Sequence, residues 1–548
     1  MLFLRPQKKY PHYANTLRTQ FIILHHQKIM NKKMNNLETE TSEIIVQEDL
    51  QRLGVNNTEA LAKFARVANG LISNGVYPKA QVMLMFAQLI DTPKKFSFSK
   101  NKLTNLALYM KHLKEIGQEI VLSDYGKTLL EAEANKPKFE IEKIGRQHDA
   151  DFDLREDAVP YKIYGANYIE QGALDQMNTA MKLPISVAGA LMPDAHQGYG
   201  LPIGGVLATT ADTIIPFAVG VDIACRMCMS VFDLPASMIE KEDKLLKKVL
   251  TENTFFGIGS ESGKKFDDTL FDRPEWNSLK IIKDLRDKAY RQLGTSGTGN
   301  HFVEWGVLEV MAEDNLMNLR KGSYLTLLSH SGSRGFGGNI ADHYSKIAMN
   351  RTRLPKEAKH LAWLDMNTDD GQEYWLAMNL AGDYASANHH EIHNKIARAL
   401  NQTPIKVIEN HHNFAWKEQL ADRTEVMVHR KGATPAGAND LGIIPASMTQ
   451  PGFVIRGKGV DEGINSASHG AGRKMSRTKA KGSITKDEWK DAIKKAGIVL
   501  IGADLDEAPQ AYKDVNKVME AQAELVQVLA KFSPKIVRMA DGKEKAED

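Results

Sequence analysis

Cysteine is nearly absent: Cys225 and Cys228 are the only two in 548 residues. That excludes a disulfide scaffold and points to a reducing, cytoplasmic setting. No second cysteine pair exists to complete a zinc knuckle around this C-x-x-C. No thioredoxin-like context supports a redox role for it either. No apolar run reaches membrane-spanning length, so no membrane partner is expected. The net charge is +3, which excludes a chain-wide polycation and permits only a local basic groove. There is no fixed-period repeat and no regular strand–helix alternation, which argues against a solenoid and against a doubly wound parallel sheet.

The chain does have the makings of a soluble globular protein with a sizeable core, at 42% hydrophobic and 25% charged residues. Residues 1–34 are basic and contain a short apolar run, Phe21 to Leu24, without a cleavage signature. They read as a disordered leader, with Met30 and Met34 as alternative starts. Residues 35–132 read as a helical N-terminal domain behind a polar lead-in to residue 56. Phe64, Ala65 and Ala68, then Val82, Met83, Phe86 and Leu89, recur at near-helical spacing. Thr92-Pro93 closes the second helix, and Leu103 to Ile116 supplies a third. Lysines 94, 95, 100, 102, 111 and 114 read as a solvated face or an RNA-contact surface. Residues 133–155 are charged and linker-like.

From residue 156 to 548 the texture changes. Glycine rises, and β-branched runs such as Gly204 to Thr210, Tyr324 to Ser329 and Glu425 to Val428 alternate with turns. Helical patterns intervene at Met238 to Leu250, Trp276 to Leu293 and Gly371 to Asn401. The expected class is α+β: a mixed-sheet catalytic domain with an added N-terminal helical domain.

The chemistry-bearing residues fall in Gly-rich clusters. M-P-D-A-H-Q-G-Y-G holds Asp194 and His196. V-G-V-D-I-A-C-R-M-C places Asp222 and Cys225 three apart, so a tight turn can aim a carboxylate and a thiolate at one ion, with histidines arriving from elsewhere. G-T-S-G-T-G-N-H-F-V-E carries Asn300, His301 and Glu304. L-S-H-S-G-S-R-G-F-G-G closes an apolar strand with His330 and sets Arg334 in a glycine loop, a phosphate-site pattern. E-N-H-H-N-F adds His411 and His412. V-H-R-K-G-A-T reads as a surface turn or an anion site. D-E-A-P-Q-A-Y-K-D offers Tyr512 for base stacking. In S-A-S-H-G-A-G-R, His469 stands among small residues that let a phosphate approach free N–H groups. The same residues could be a Gly-rich turn capped by a histidine. N-H-H-E-I-H-N-K, with His389 and His393 four apart, lacks the H-E-x-x-H order and reads as a helix face.

Taken together, in this order, the clusters resemble the RtcB family of RNA ligases, from about Lys162 to about Met539. The resemblance implies joining of an RNA 3′-phosphate or 2′,3′-cyclic phosphate to a 5′-hydroxyl, with GTP and two Mn²⁺ ions, in tRNA splicing or RNA repair. It implies His469 as the nucleophile that carries GMP, and Asp222, Cys225, His301, His330 and His412 as metal ligands. Asn300, Glu304, Asn413, Ser447, Ala471, Gly472 and Tyr512 match nucleotide-binding positions. Asp194, Arg334, Arg473 and Lys543 match or suggest phosphate and RNA contacts, and an archease-like activator is a conceivable partner. Three departures mark a divergent branch: Ala224 and Arg226 flank the metal cysteine where glycines are usual, Gly452 stands for a nucleotide-contacting serine, and the C-terminal lysine is displaced to Lys543. The competing readings are a metal-dependent cyclic phosphodiesterase or phosphohydrolase without ligation, which would not need His469, and a non-catalytic RNA-binding protein.

Overall fold

The computed structural model describes residues 45–73, 79–96, 103–134, 143–262, 269–313 and 316–542. The chain divides into two compact units between Asn135 and Lys136. Among the described residues, no helix is long and apolar enough to cross a membrane.

The first unit is built from helices Gln47–Arg52, Thr58–Ser73, Lys79–Asp91, Thr104–Glu115 and Asp124–Ala134. The Asn57 side chain accepts from Glu59 N and Ala60 N, which caps the second helix. Helix three ends at Asp91, before Pro93, as the Thr-Pro pair predicts. Phe64 and Phe86 meet edge to face at 5.1 Å in the core. The polar lead-in is partly folded: Leu50, Leu53 and Val55 are fully buried here. Three apolar residues in a short acidic stretch carry too little periodicity to show that. Lys111 and Lys114 form exposed pairs with Glu115 and Glu119. Lys100, Lys102 and the leader 1–34 lie outside the described residues.

The second unit has two main sheets. The larger runs, in spatial order, Lys406–His411, Arg226–Pro235, Gly322–Ser331, Phe302–Val310, Val526–Asp541, Gly452–Gly457 and Leu441–Ile444, all antiparallel, with Val499–Ala503 parallel beside Val526–Asp541. The smaller runs Asn413–Gln419, Glu425–Lys431, Ile203–Thr210, Ser186–His196 and Lys162–Ile163. Residues of both sheets share one core, where Val206, Ala208 and Val428 meet Phe453 and Ile455. The 31-residue helix Asp369–Ala399 lies on one face of the large sheet, with Ile392 and Ile396 against Trp305 and Leu327. Helices Lys280–Gln292 and Arg334–Arg351 pack on it in turn.

Strand alternation sorts the large sheet by parity. Cys228, Ser230, Trp305, Leu327 and Ser329 face the long helix, and Met227, Met229, Leu308, Leu328 and His330 face the other side. The β-branched runs all became strands. Among the strands not foreseen, three are long members of the large sheet: Arg226–Pro235, Phe302–Val310 and Val526–Asp541. Each opens in a glycine or charged context or, in the last, contains a proline. Pro534 sits at a register shift, where a missing N–H costs no ladder bond.

The described part of the 133–155 stretch is fastened to the second unit rather than spanning freely. Ala150–Asp151 pairs with Thr352–Arg353. Asp370, nearly fully buried, accepts from Arg146, Arg351 and the Gln147 amide. The charges that suggest a linker are the groups that hold it down. Asp370→Ala is expected to cost about 2–3 kcal/mol in urea denaturation and to open a new proteolytic cut within residues 143–155.

Candidate active site

Antiparallel pairing puts the starts of Arg226–Pro235 and Phe302–Val310 at the same sheet edge as the ends of Gly322–Ser331 and Lys406–His411. The register confirms it: Arg226 lies opposite Ser331 and His411, and Phe302 opposite His330. Cys225, His301, His330 and His412 stand at these four ends. The chain leaves Lys406–His411, passes His412 and enters Asn413–Gln419 of the other sheet, so His412 marks the crossing. The His412 amide donates to the Cys225 carbonyl and the Ala224 amide to that of Asn413, which ties the Asp222 loop to this crossing.

The side chains meet closely. Cys225 Sγ is 3.0 Å from His330 Nε2 and 3.5 Å from His301 Nε2. His301 Nε2 lies 3.0 Å from Asp222 Oδ2, and His330 Nε2 3.2 Å from His412 Nε2. One ligand atom each of Cys225, His301 and His330 falls within 4.8 Å of the others, a spacing that could hold a metal ion. Burial pushes His330 down to about 3, with His301 and His469 adding to it, and holds His412 well below its ordinary value. Both rings are neutral and carry a free lone pair. Burial would raise Asp222, but the hydrogen bond and charge of His301 keep it below the usual carboxylate range. His412 Nδ1 is buried with no hydrogen-bond partner among the described residues. One carboxylate, one thiol and three imidazoles form a donor set that suits a divalent transition metal.

His469 follows the short strand Ser466–Ser468, which pairs with Ala433–Pro435. Its Nδ1 is 2.8 Å from Asp194 Oδ2, and its ring centroid is 4.9 Å from that of His412. A carboxylate there selects the Nδ1–H tautomer and leaves Nε2 with its lone pair. Asp194 is fully buried. Burial would raise its pKa, but the hydrogen bond and charge of His469, then Lys513 and His196, hold it below the ordinary value. Lys513 Nζ donates to the carbonyls of Pro193 and Ala195 on either side of Asp194. Lys513 lies in the D-E-A-P-Q-A-Y-K-D motif, where nothing local in the sequence signals this contact. Gly472 has φ +73°, and a Cβ there would fall 2.0 Å from the Asp194 carbonyl oxygen, so the loop bearing His469 docks only with glycine at that position.

The other expected positions divide. Ser447 is buried, and its hydroxyl has no partner among the described residues, and Ala471 adjoins Gly472. The Asn300 carbonyl lies 3.3 Å from His330 Nδ1 and fixes that ring. The Asn413 side chain accepts from Gly432 N and donates to the Asp222 carbonyl, which makes it a brace between loops. Tyr512 bonds Glu507, and the Arg473 guanidinium covers its ring at 5.1 Å. Arg473 spends its donors on Met475, Asp506, Glu507 and Tyr512. Arg334, at φ +54°, spends its own on Thr295, Gly257 and Ser260. Neither guanidinium is open to a phosphate as placed. Lys543 lies outside the described residues.

In the H-R-K turn, Arg430 is buried against Glu418, His429 Nε2 accepts from Ile215 N, and burial pushes Lys431 down to about 7. The turn is an interior strand end rather than a surface. The two cysteines do not share a site: Cys228 lies with His389 and His393. Those two histidines are on a helix, as expected, but they are buried.

A family model described as tRNA-splicing ligase RtcB matches residues 176–277 and 273–540. RNA-splicing ligase RtcB of Escherichia coli (strain K12) is 33% identical over 400 residues, covering 66% of this chain and 92% of that protein. RNA-splicing ligase RtcB homolog 1 of Entamoeba dispar is 30% identical, over 66% of this chain and 81% of its own. tRNA-splicing ligase RtcB of Thermococcus kodakarensis is 29% identical, over 73% and 98%.

A Cβ at Gly332 would lie 2.1 Å from Asp222 Oδ1. Gly332→Ala is expected to push that carboxylate off His301 and weaken divalent-metal binding about tenfold or more. The melting temperature should stay within a few degrees, because only a side-chain end has to move; calorimetric metal titration beside thermal melts checks both. Glu304 is buried on the same sheet, and desolvation pushes it up to about 8 from 4.5. Its neutral form favours the fold below the unfolded value, and that stability is lost as pH rises toward 8. Glu304→Gln should therefore flatten the decline in unfolding free energy between pH 5 and 8, an effect on the order of a few kcal/mol.

Proposed function

The chain belongs to the RtcB family, and we propose that it is an RNA ligase that joins 3′-phosphate or 2′,3′-cyclic phosphate ends to 5′-hydroxyl ends at the expense of GTP, in tRNA splicing or RNA repair. The observation that carries this reading is the pairing of His469 with a buried Asp194, beside the cysteine–histidine cluster. A hydrolase needs the cluster alone. A histidine whose Nδ1–H is held by a carboxylate, in a loop of small residues, is arranged to attack phosphorus through Nε2.

In this reading His469 Nε2 bonds to the α-phosphorus of GTP, and the bond to pyrophosphate breaks. Asp194 keeps the imidazole oriented and offsets the positive charge that the ring acquires as the new bond forms. An oxygen of the RNA 3′-phosphate then takes GMP from His469: the nitrogen–phosphorus bond breaks and a phosphoanhydride joins GMP to the 3′-phosphate. The 5′-hydroxyl attacks it, and GMP leaves. A cyclic phosphate is first opened by water to the 3′-phosphate. Asp222, Cys225, His301, His330 and His412 would hold two manganese ions, which when bound supply charge neutralisation at the phosphoryl oxygens. Manganese sits low in the divalent affinity order, so its availability helps select it.

The nucleotide assignment rests on Ser447, with its unpartnered buried hydroxyl, on the small Ala471 and Gly472, and on Glu304. Glu304 enters as a neutral acid. Accepting hydrogen bonds from a guanine edge would favour its carboxylate, so GTP capture and proton release from Glu304 go together. Asn300 and Asn413 act as braces for the ligand loops, and Tyr512 is held in the Arg473–Glu507 network.

With α-labelled GTP and Mn²⁺, the protein should form an acid-labile, alkali-stable GMP adduct that is absent from His469→Ala. Asp194→Asn should slow adduct formation by on the order of 10²-fold or more. A protein that binds metal and opens cyclic phosphates, but forms no adduct and keeps that activity in His469→Ala, would be the phosphodiesterase instead.

A further inference from the structure

Behind the large sheet lies a second cluster that the ligation chemistry does not use. Cys228, His389 and His393 are all buried, and one ligand atom of each lies within 4.8 Å of the others. They reach this point from two elements: Cys228 from the helix-facing side of Arg226–Pro235, and the histidines, one turn apart, from Asp369–Ala399.

The hydrogen bonds around them run in one direction. His389 Nε2 is 3.0 Å from the Ser331 carbonyl, which can only accept, so Nε2 carries the proton and Nδ1 presents a lone pair. That Nδ1 lies 2.7 Å from Ser329 Oγ. His393 Nε2 lies 2.7 Å from the same Ser329 Oγ, and its Nδ1 lies 2.8 Å from Ser230 Oγ. Each imidazole is thus anchored through one nitrogen, by a backbone carbonyl or a serine hydroxyl, while the other nitrogens, His389 Nδ1 and His393 Nε2, both meet at Ser329 Oγ. Ligating histidines are held in this way. A core that merely satisfied two buried histidines would have no need of a thiol at the same point.

We propose that Cys228, His389 and His393 form a second metal site, distinct from the Asp222–Cys225 cluster, for a borderline-soft divalent ion of the zinc class. A thiolate and two imidazoles select that class over manganese or magnesium. Binding is balanced by one proton: the Cys228 thiol gives up its hydrogen to solvent, the metal–sulfur bond forms, and the ion sheds water ligands. His389 binds through Nδ1 and keeps its bond to Ser331. His393 binds through Nε2 once its proton moves to Nδ1 and donates to Ser230 Oγ. The Ser329 hydroxyl, beside both ligating nitrogens, supplies the fourth donor. The neighbouring cation, Arg226, is already paired with Glu409 at 3.0 Å.

The site has a structural consequence. Ser329 and His330 are adjacent on one strand and point to opposite faces. The Ser331 carbonyl receives His389 on one side and lies 3.5 Å from Cys225 Sγ on the other. Metal at the second site therefore pins the strand ends that present Cys225 and His330.

Cobalt(II) is the probe, because a thiolate bound to it gives a charge-transfer absorption that imidazole and carboxylate do not. The full-length protein, stripped and reloaded, should show two such thiolates. Cys225→Ser should keep about half the absorption, and Cys228→Ser should also keep about half. His389→Asn, which leaves both thiols in place, should likewise lose about half, together with about one metal per chain by elemental analysis. Full parental absorption and metal content in folded Cys228→Ser and His389→Asn would overturn the proposal. So would a Cys225→Ser protein that is folded by circular dichroism yet shows no thiolate–cobalt band. These readouts do not depend on ligation, so the two proposals fail separately.

Discussion

Antiparallel pairing across four neighbouring strands is the constraint on which the site depends. It makes alternate strands begin and end at one edge, so residues 225, 301, 330 and 412 meet without any of them being near another in sequence. Period-two alternation then decides which chemistry faces which way. His330 and Ser329 are consecutive, yet one joins the Cys225 cluster and the other the Cys228 cluster. A one-residue slip in this register would exchange the two faces. The crossing at His412 fixes the small sheet against the same edge, and the loop bearing His469 comes with it.

Burial sets the electrostatics. Burial drives the imidazoles of His330 and His412 in one cluster, and of His389 and His393 in the other, below their ordinary range and favours them as neutral donors. Three motif arginines, by contrast, come with carboxylates, Arg226 with Glu409, Arg430 with Glu418 and Arg473 with Glu507, while the buried Arg334 is held by Thr295, Gly257 and Ser260. A cation that cannot be neutralised by proton loss has to be paired when it is removed from water. Arg473, which looks like a phosphate binder from composition, is engaged in such a pair as placed.

The same reasoning accounts for the departures around the metal cysteine. Ala224 takes φ 56°, a conformation that glycine adopts without steric cost, and its methyl is fully buried in the core of the long helix, which offsets part of the strain. Arg226 directs its guanidinium to Glu409 and the Gly382 carbonyl on the helix side, so it adds no cation to the Cys225 cluster. At Gly452, a Cβ would come within 3.2 Å of the Ile444 carbonyl oxygen. The strand is closed up around the missing side chain.

By itself the sequence determined the class of fold, the strands signalled by β-branched runs, the long helix, and the placing of Asp222 and Cys225 in one loop, while the resemblance to the family supplied His301, His330, His412 and His469 as their companions. Local periodicity and contiguous motifs are properties of neighbouring residues, and they can be read along the chain. It did not determine that residues 143–155 would be fastened down, because Asp370 lies more than two hundred residues from Arg146. Nor did it reveal the strands Phe302–Val310 and Val526–Asp541, whose pairing is wholly non-local. Asp194 and His469 are 275 residues apart, and only their contact shows which imidazole nitrogen is free. His389 and His393 read as one more helix face, since a helix carries no mark of what is packed on it. The tertiary structure decided that, by placing Cys228 of the neighbouring sheet at the same point.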